Sequence, residues 1–340
     1  MPNKANYFNL TRIFILVTFV LSNCFLTGSQ TLQEEEPEKR DVVRPGKVTP
    51  IEFAKSRDDP KPLQSTVVRK KVKTVKESNN KVKKIVVEEA KTEEVTALGV
   101  TIWKLRKSLP EDVYRTIEIV GAEKEGEMTP ERLDGEVRVE EGSLLRIQLE
   151  THSKGYLYVF DREQYRDNSY GVPYLIYPII GTNGEEDNNY IQPNQAIFLP
   201  RQKDSYAFRL STGKEGKIAA EIFTILITPE PLKLAPIKCV PTGKKDSYGD
   251  NFIQCIPRKI TEEEFDFEAK LKEWSAPTKI AEFDLEDPKY KQISGAEILS
   301  IKNKANKLTS QAPPPQCIYT ISRKPSEPYI INIPLYITKK

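Results

Sequence analysis

Hydrophobic and polar positions alternate over much of the middle of this chain. In SLLRIQLE, residues 143–150, Leu145, Ile147 and Leu149 share one face, which is the period of two that a half-buried strand requires. GVTIWKLRKS, residues 99–108, alternates through Val100 and Ile102, with Leu105 a further candidate. YRTIEIV, residues 114–120, predicts another strand. The run from Glu136 to Glu163 reads as strand, glycine turn, strand, glycine turn, strand. AIFLP and YAFRL follow, and the apolar run of KIAAEIFTILITPEP predicts a strand buried on both faces. Many short strands with regular turn signals indicate a sandwich or barrel. The expected fold is therefore mainly β, an antiparallel, immunoglobulin-like β-sandwich over residues 97–236. MTPERLDG, residues 128–135, places Thr129 before Pro130 and predicts a short helical turn between strands.

The period changes after residue 237. Thr261 and Glu264 form a capping-box pattern, and Phe267, Leu271 and Trp274 then fall on one helical face. Ser294 and Glu297 repeat the box ahead of Ile298, Ile301, Ala305 and Leu308, until PPP at 313–315 stops that second helix. QCIYTIS and PYIINIPLYI are two strands that either pair with each other or extend the sandwich. Residues 237–340 are thus an α+β extension.

The N-terminal residues have a different composition. Lys4 and Arg12 precede the apolar run IFILVTFVL, and small residues follow in LTGS. That order predicts a secretory signal over residues 1–29, with Thr27 and Ser29 at the cleavage positions. LSNC offers an alternative, a lipobox-like site that would put a lipid on Cys24 and tether the chain to a membrane, although Asn23 fits it poorly. The apolar run is short for a bilayer crossing, and no second run in the mature chain is long enough to be a transmembrane helix. Residues 30–96 mix charge and proline around one aromatic, Phe53. Such a segment buries too little apolar area to offset its ordering entropy, so a disordered linker is expected. Within it VVRKKVKTVKESNNKVKKIVVEE, residues 67–89, is basic and then acidic. It reads as a solvated linker or as a basic arm for an anionic surface.

Charge narrows the function. The formal net charge of +3 is nearly balanced, and no aromatic residues interleave the basic segment to stack on bases, so nucleic acid is not an expected partner. Of four cysteines, Cys24 lies in the signal. Export permits a disulfide. Cys239 and Cys255 flank a Gly/Asp/Lys-rich loop and are the candidate pair, with Cys317 either an unpaired buried thiol or a pairing alternative. No CxxC spacing points to zinc. The single histidine, His152, lies in ETHSKG at a strand-to-turn junction, without a GxSxG elbow or a second histidine. It reads as a turn residue. TGKEGK, residues 212–217, lacks the first glycine and the hydroxyl of a phosphate loop and reads as a hairpin turn. No catalytic residue, metal or cofactor is assigned.

One stretch carries most of the candidate chemistry. In GYLYVFDREQYRDNSYGVPYLIYPI, residues 155–179, Tyr156, Tyr158 and Phe160 share one face and Leu157 and Val159 the other. GYLYVFD and PYLIYPI are expected as neighbouring core strands. The intervening loop holds Asp161, Tyr165, Asp167 and Tyr170, the candidate binding residues. Its carboxylates, with Glu185, Glu186 and Asp187 of the next loop, could also gather calcium or serve glycoside hydrolysis, but Arg162 and Arg166 interrupt them. Exposed loop aromatics anchor partners or stack on sugars.

These same residues carry a resemblance. Gly155, Tyr156, Leu157 and Tyr158, then Leu175, Ile176, Tyr177 and Pro178, then an asparagine-containing loop, then Ile197, Leu199 and Pro200, and a final hydrophobic strand, resemble a bacterial family called domain of unknown function 4384. LGVTIWKLR and PPPQCIYTISRKPSEPYIINIPLYI look like its longer exported subgroup of acidobacterial type. The resemblance spans residues 97–338. It implies an accessory or recognition role and brings no catalytic residues. Together these readings lead to an exported, periplasmic or extracellular, non-enzymatic binding or scaffolding protein of the bacterial envelope, whose partner is an envelope protein or glycan. The alternatives are a carboxylate- or calcium-dependent glycan hydrolase and a self-associating structural protein.

Overall fold

A computed structural model describes residues 47–58, 63–76, 82–112, 127–133, 138–181, 188–200, 207–245, 251–283, 290–294, 297 and 307–338. A short helix, α1 (Pro50–Lys55), precedes a hairpin of β1 (Gln64–Lys76) and β2 (Val82–Glu94). Then come β3 (Thr96–Lys107), β4 (Met128–Arg132), β5 (Arg138–Glu140), β6 (Leu144–Thr151), β7 (Gly155–Tyr165) and β8 (Tyr174–Tyr177). Short strands β9 (Ile179–Ile180), β10 (Tyr190–Ile191), β11 (Ala196–Leu199) and β12 (Phe208–Arg209) follow. The chain continues through β13 (Ile218–Thr228), β14 (Ile237–Lys245), β15 (Asn251–Cys255), β16 (Arg258–Lys259), α2 (Phe267–Trp274), β17 (Thr278–Glu282), β18 (Cys317–Ile321) and β19 (Tyr329–Thr338).

The chain is mainly β, and two largely antiparallel sheets face each other. The first runs β16-β8-β7-β13-β19-β5, with β10 also on β7. The second runs β11-β6-β3-β18-β17, with β12 on β6 and β4 on β3. The alternation seen in the sequence sets their inner faces. Leu145, Ile147 and Leu149 of β6 meet Leu157 and Val159 of β7 and Phe223 and Ile225 of β13 in one buried cluster. Phe208 of the second sheet packs on Phe223 of the first with ring centroids 5.1 Å apart, which shows that this face of β13 looks inward.

Each outer face carries a further layer. Outside the first sheet, Phe160 stacks on Phe265 at 5.7 Å and meets Phe267 of α2 edge-on at 5.2 Å. Outside the second sheet, Val48 and Phe53 pack on Ala97, Ala281 and Ile318. The outer face of this sheet is also polar. Arg57 uses all five guanidinium donors, giving Nε and Nη2 to Glu150 and the rest to the carbonyls of Thr309, Ala312 and Pro313. From Glu150 the chain of bonds runs to Gln148 (2.9 Å), then to the indole of Trp103 (3.1 Å). Arg132 lies 4.7 Å over that ring and pairs with Glu297. Burial pushes the Glu150 carboxyl up, against the pull of Arg57. Buried ion pairs of this kind are kept only when hydrogen bonds satisfy the remaining donors and acceptors, and Arg57 meets that condition.

Several expectations need correction. Residues 1–46, with the signal segment and Cys24, lie outside the described residues, as do 114–120, Glu185–Asp187 and most of the second C-terminal helix. The expected disordered linker at 30–96 fails over its described part. Phe53 is fully buried because it finds a ready apolar face on the second sheet. β1 and β2 pair in antiparallel register that sets Arg69 opposite Glu89 and Lys70 opposite Glu88, so the basic and acidic halves of 67–89 are the two strands of one hairpin. MTPER is strand β4, not a helical turn, because pairing with β3 from Trp103 to Lys107 outweighs a local cap signal. TGKEGK contains a 3₁₀ turn, Lys214–Gly216. It is not a hairpin, since β12 and β13 on either side belong to different sheets. The helix after TEEEF starts later, with Asp266 as its cap, its Oδ1 accepting from Ala269 N at 2.9 Å. Finally, residue 237 is not a boundary between units. β18 lies between β3 and β17 and β19 between β13 and β5, so the C-terminal strands extend both sheets and do not pair with each other.

Candidate functional site

Strand β7 explains how the candidate residues divide. It is longer than the sequence suggests and runs through Tyr165, so Asp161 lies in the strand and the connecting loop begins only at Arg166. The strand period sends Leu157, Val159, Asp161, Glu163 and Tyr165 to the inner face, and Tyr158, Phe160, Arg162 and Gln164 to the outer face.

On the inner face, Asp161 lies opposite Phe223, and Glu163 opposite Glu221, across β7 and β13. The buried Asp161 and Glu221 carboxyl groups interact with each other, and two adjacent buried negative charges are disfavoured. Burial is the main cause of their shift, and Glu163 adds repulsion to both. Asp161 is pushed up to about 6 and Glu221 to about 9. Asp161 Oδ1 and Glu221 Oε2 are buried without a hydrogen-bond partner. Glu163 is held by the Tyr165 hydroxyl, which donates to Oε2 at 2.6 Å and has its own pKa raised by that bond. Perturbed carboxyl groups of this kind mark functional sites and structural pairs alike. The sequence reading missed Glu221. Its signal was a glutamate inside the otherwise apolar run KIAAEIFTILI.

On the outer face, Arg162 is buried and pairs with Glu268. Its guanidinium lies 4.3 Å from the Tyr170 ring centroid and 5.1 Å from that of Phe267. Tyr170 is nonetheless 51% exposed and Val172 44%, whereas Tyr174, opposite Asp161 across β7 and β8, belongs to the other face of the sheet. Asp167 is a turn residue, its Oδ1 accepting from Ser169 N at 2.9 Å and Ser169 Oγ at 2.6 Å, which holds its carboxyl below the usual range. Asn168 adopts φ 64° in that turn.

The four candidate binding residues therefore do not form one constellation. Asp161 and Tyr165 belong to the inner acidic group, Asp167 shapes the turn, and Tyr170 projects outward over Arg162. Cys239 and Cys255 lie opposite each other on β14 and β15 and are disulfide-bonded, and Cys317 is a buried free thiol. His152 is a buried turn residue, its Nδ1 3.3 Å from Ser56 Oγ and its ring against Phe53. Among the described residues no group of three or more His, Cys, Asp or Glu is arranged to hold a metal ion, and no helix is long and apolar enough to cross a membrane. No known protein family, curated protein or solved structure matches the chain.

Proposed function

We propose that this is an exported, non-enzymatic binding or scaffolding protein of the bacterial cell envelope, which contacts an envelope protein or glycan through the rim formed by Tyr170 and Val172. The observation that carries this reading is the pose of Tyr170. Its ring is about half exposed and already seated on Arg162, so it can offer a large amphipathic surface at little further entropy cost. Exposed apolar residues grouped on a rigid support are a common mark of an interaction surface. The export signal and the resemblance to domain of unknown function 4384 belong to the same proposal and rest on the sequence. Retention of the tagged protein by crosslinked native envelope tests it. Tyr170→Ala with Val172→Ser should lower retention, while Tyr165→Phe should not. Equal retention of all three proteins would count against this rim.

A second reading has its own support in the raised Glu221 carboxyl, a proton carrier suited to a glycan hydrolase. It predicts release of reducing sugar from envelope polysaccharide that is lost in Glu221→Gln and in Asp161→Asn.

A further inference from the structure

We propose that the lateral edge where the two sheets part is a binding site for a small soluble anionic amphiphile, with one anionic head on an aromatic or aliphatic body. The site goes beyond the rim described above and is independent of it. β5 ends the first sheet and β17 ends the second. Between these edges lies a cavity of about 480 Å³, within the usual range of about 300–1,000 Å³ for small-molecule sites.

The walls are apolar and partly wet. Ile280 and Tyr319 come from the second sheet, and Tyr336 and Ile337 from the first. Ile280 is 48% exposed and Tyr336 49%. A ligand that covers such surface gains ~25 cal/mol for each Å² removed from water.

The charge pattern selects the head group. Arg138 and Arg166, both exposed, line the site from the first sheet's side, Arg166 giving its Nε to the Gly216 carbonyl at 2.7 Å, and Glu282 is the carboxylate among the described lining residues. Guanidinium groups present paired donors that match carboxylate, sulfonate or phosphate oxygens. Among the described lining residues no further anion is added, since burial keeps the Cys317 thiol protonated, its pKa pushed up to about 12. An anionic head therefore belongs on the arginine side, with its apolar body between Ile280 and Tyr336.

Fluorescence titration of the full-length, disulfide-intact protein tests the assignment. The probes are 8-anilinonaphthalene-1-sulfonate and its neutral counterpart N-phenyl-1-naphthylamine. We expect saturable one-to-one binding of the sulfonate, about tenfold tighter than the neutral probe, as a charge-assisted contact supplies. Arg166→Gln should weaken the sulfonate about tenfold and leave the neutral probe unchanged. Ile280→Ser and Tyr336→Ser should weaken both probes. All three positions are exposed, and an unchanged urea midpoint will confirm that each variant folds. Wild-type binding by all three variants overturns the site. Equal affinity for the two probes overturns the anionic head. Binding to anionic vesicles without binding of either free probe overturns the soluble ligand.

Discussion

Asp161 on β7 and Glu221 on β13 bring two interacting carboxyl groups together on the inner face of the sandwich. Burial makes the pair hold a proton more tightly than free carboxyl groups do. Both folded-state values are raised above those of the free side chains, so the linked stability is fully present below the unfolded carboxylate range and is lost as pH rises through about 6 and then about 9. Each pH unit in which the folded pair holds one more proton than the unfolded chain costs about 1.4 kcal/mol. Urea unfolding of the wild type should therefore show falling stability from about pH 5 to about pH 9, the window these two values define. Glu221→Gln should flatten that slope. A wild-type midpoint independent of pH would remove the proton-holding pair.

Arg57 and Glu150 form a buried ion pair at 2.9 Å between an N-terminal segment and β6. Arg57→Met leaves Glu150 buried without its counter-ion, which should cost ~3–5 kcal/mol. Adding Glu150→Leu should restore most of the loss, because the uncompensated charge goes with it. Denaturant titration of the single and double variants measures both effects. A single variant as stable as the wild type would mean that residues 47–58 do not hold the outer layer.

Gly99 lies where β3 passes under Pro315. A Cβ built there would sit 2.6 Å from Pro315 Cγ and 3.1 Å from Phe53 Cε1. Gly99→Ala should therefore overpack this contact and cost ~1–3 kcal/mol, read as a lower calorimetric Tm. An unchanged Tm would mean that the 313–315 segment moves aside freely.

The Cys239–Cys255 bond closes a loop with a sequence separation of 16. Loop closure of that length is worth ~3 kcal/mol. Cys239→Ala with Cys255→Ala should lower stability by up to that amount, and amide exchange should quicken in β14 and β15 first. If exchange quickens equally everywhere, the hairpin does not open as a local unit.

Much of the β architecture was legible in the chain. The alternation in SLLRIQLE and GYLYVF named the two faces of β6 and β7, and PYLIYP named β8 beside it. The pairing of Cys239 with Cys255 was one of the readings the spacing allowed. The segments that misled, MTPER and residues 47–96, carry strong local signals for a cap or for solvation. Neither signal contains the distant partner that outweighs it, β3 for the first and the outer face of the second sheet for Phe53.

The candidate site divides along the same line. Residue order alone determined that Asp161, Glu163 and Tyr165 share one face of a strand and Arg162 and Gln164 the other, because backbone pleating alternates side chains without reference to anything else. Only the tertiary structure decided which face is inside. It also brought Glu221 to Asp161, carried Tyr170 onto Arg162, and set β18 and β19 in opposite sheets. Except for Tyr170 and Arg162, which are close in the chain, those relations join residues from 60 to more than 200 positions apart, and a period of two carries no information on which strand comes to lie beside which.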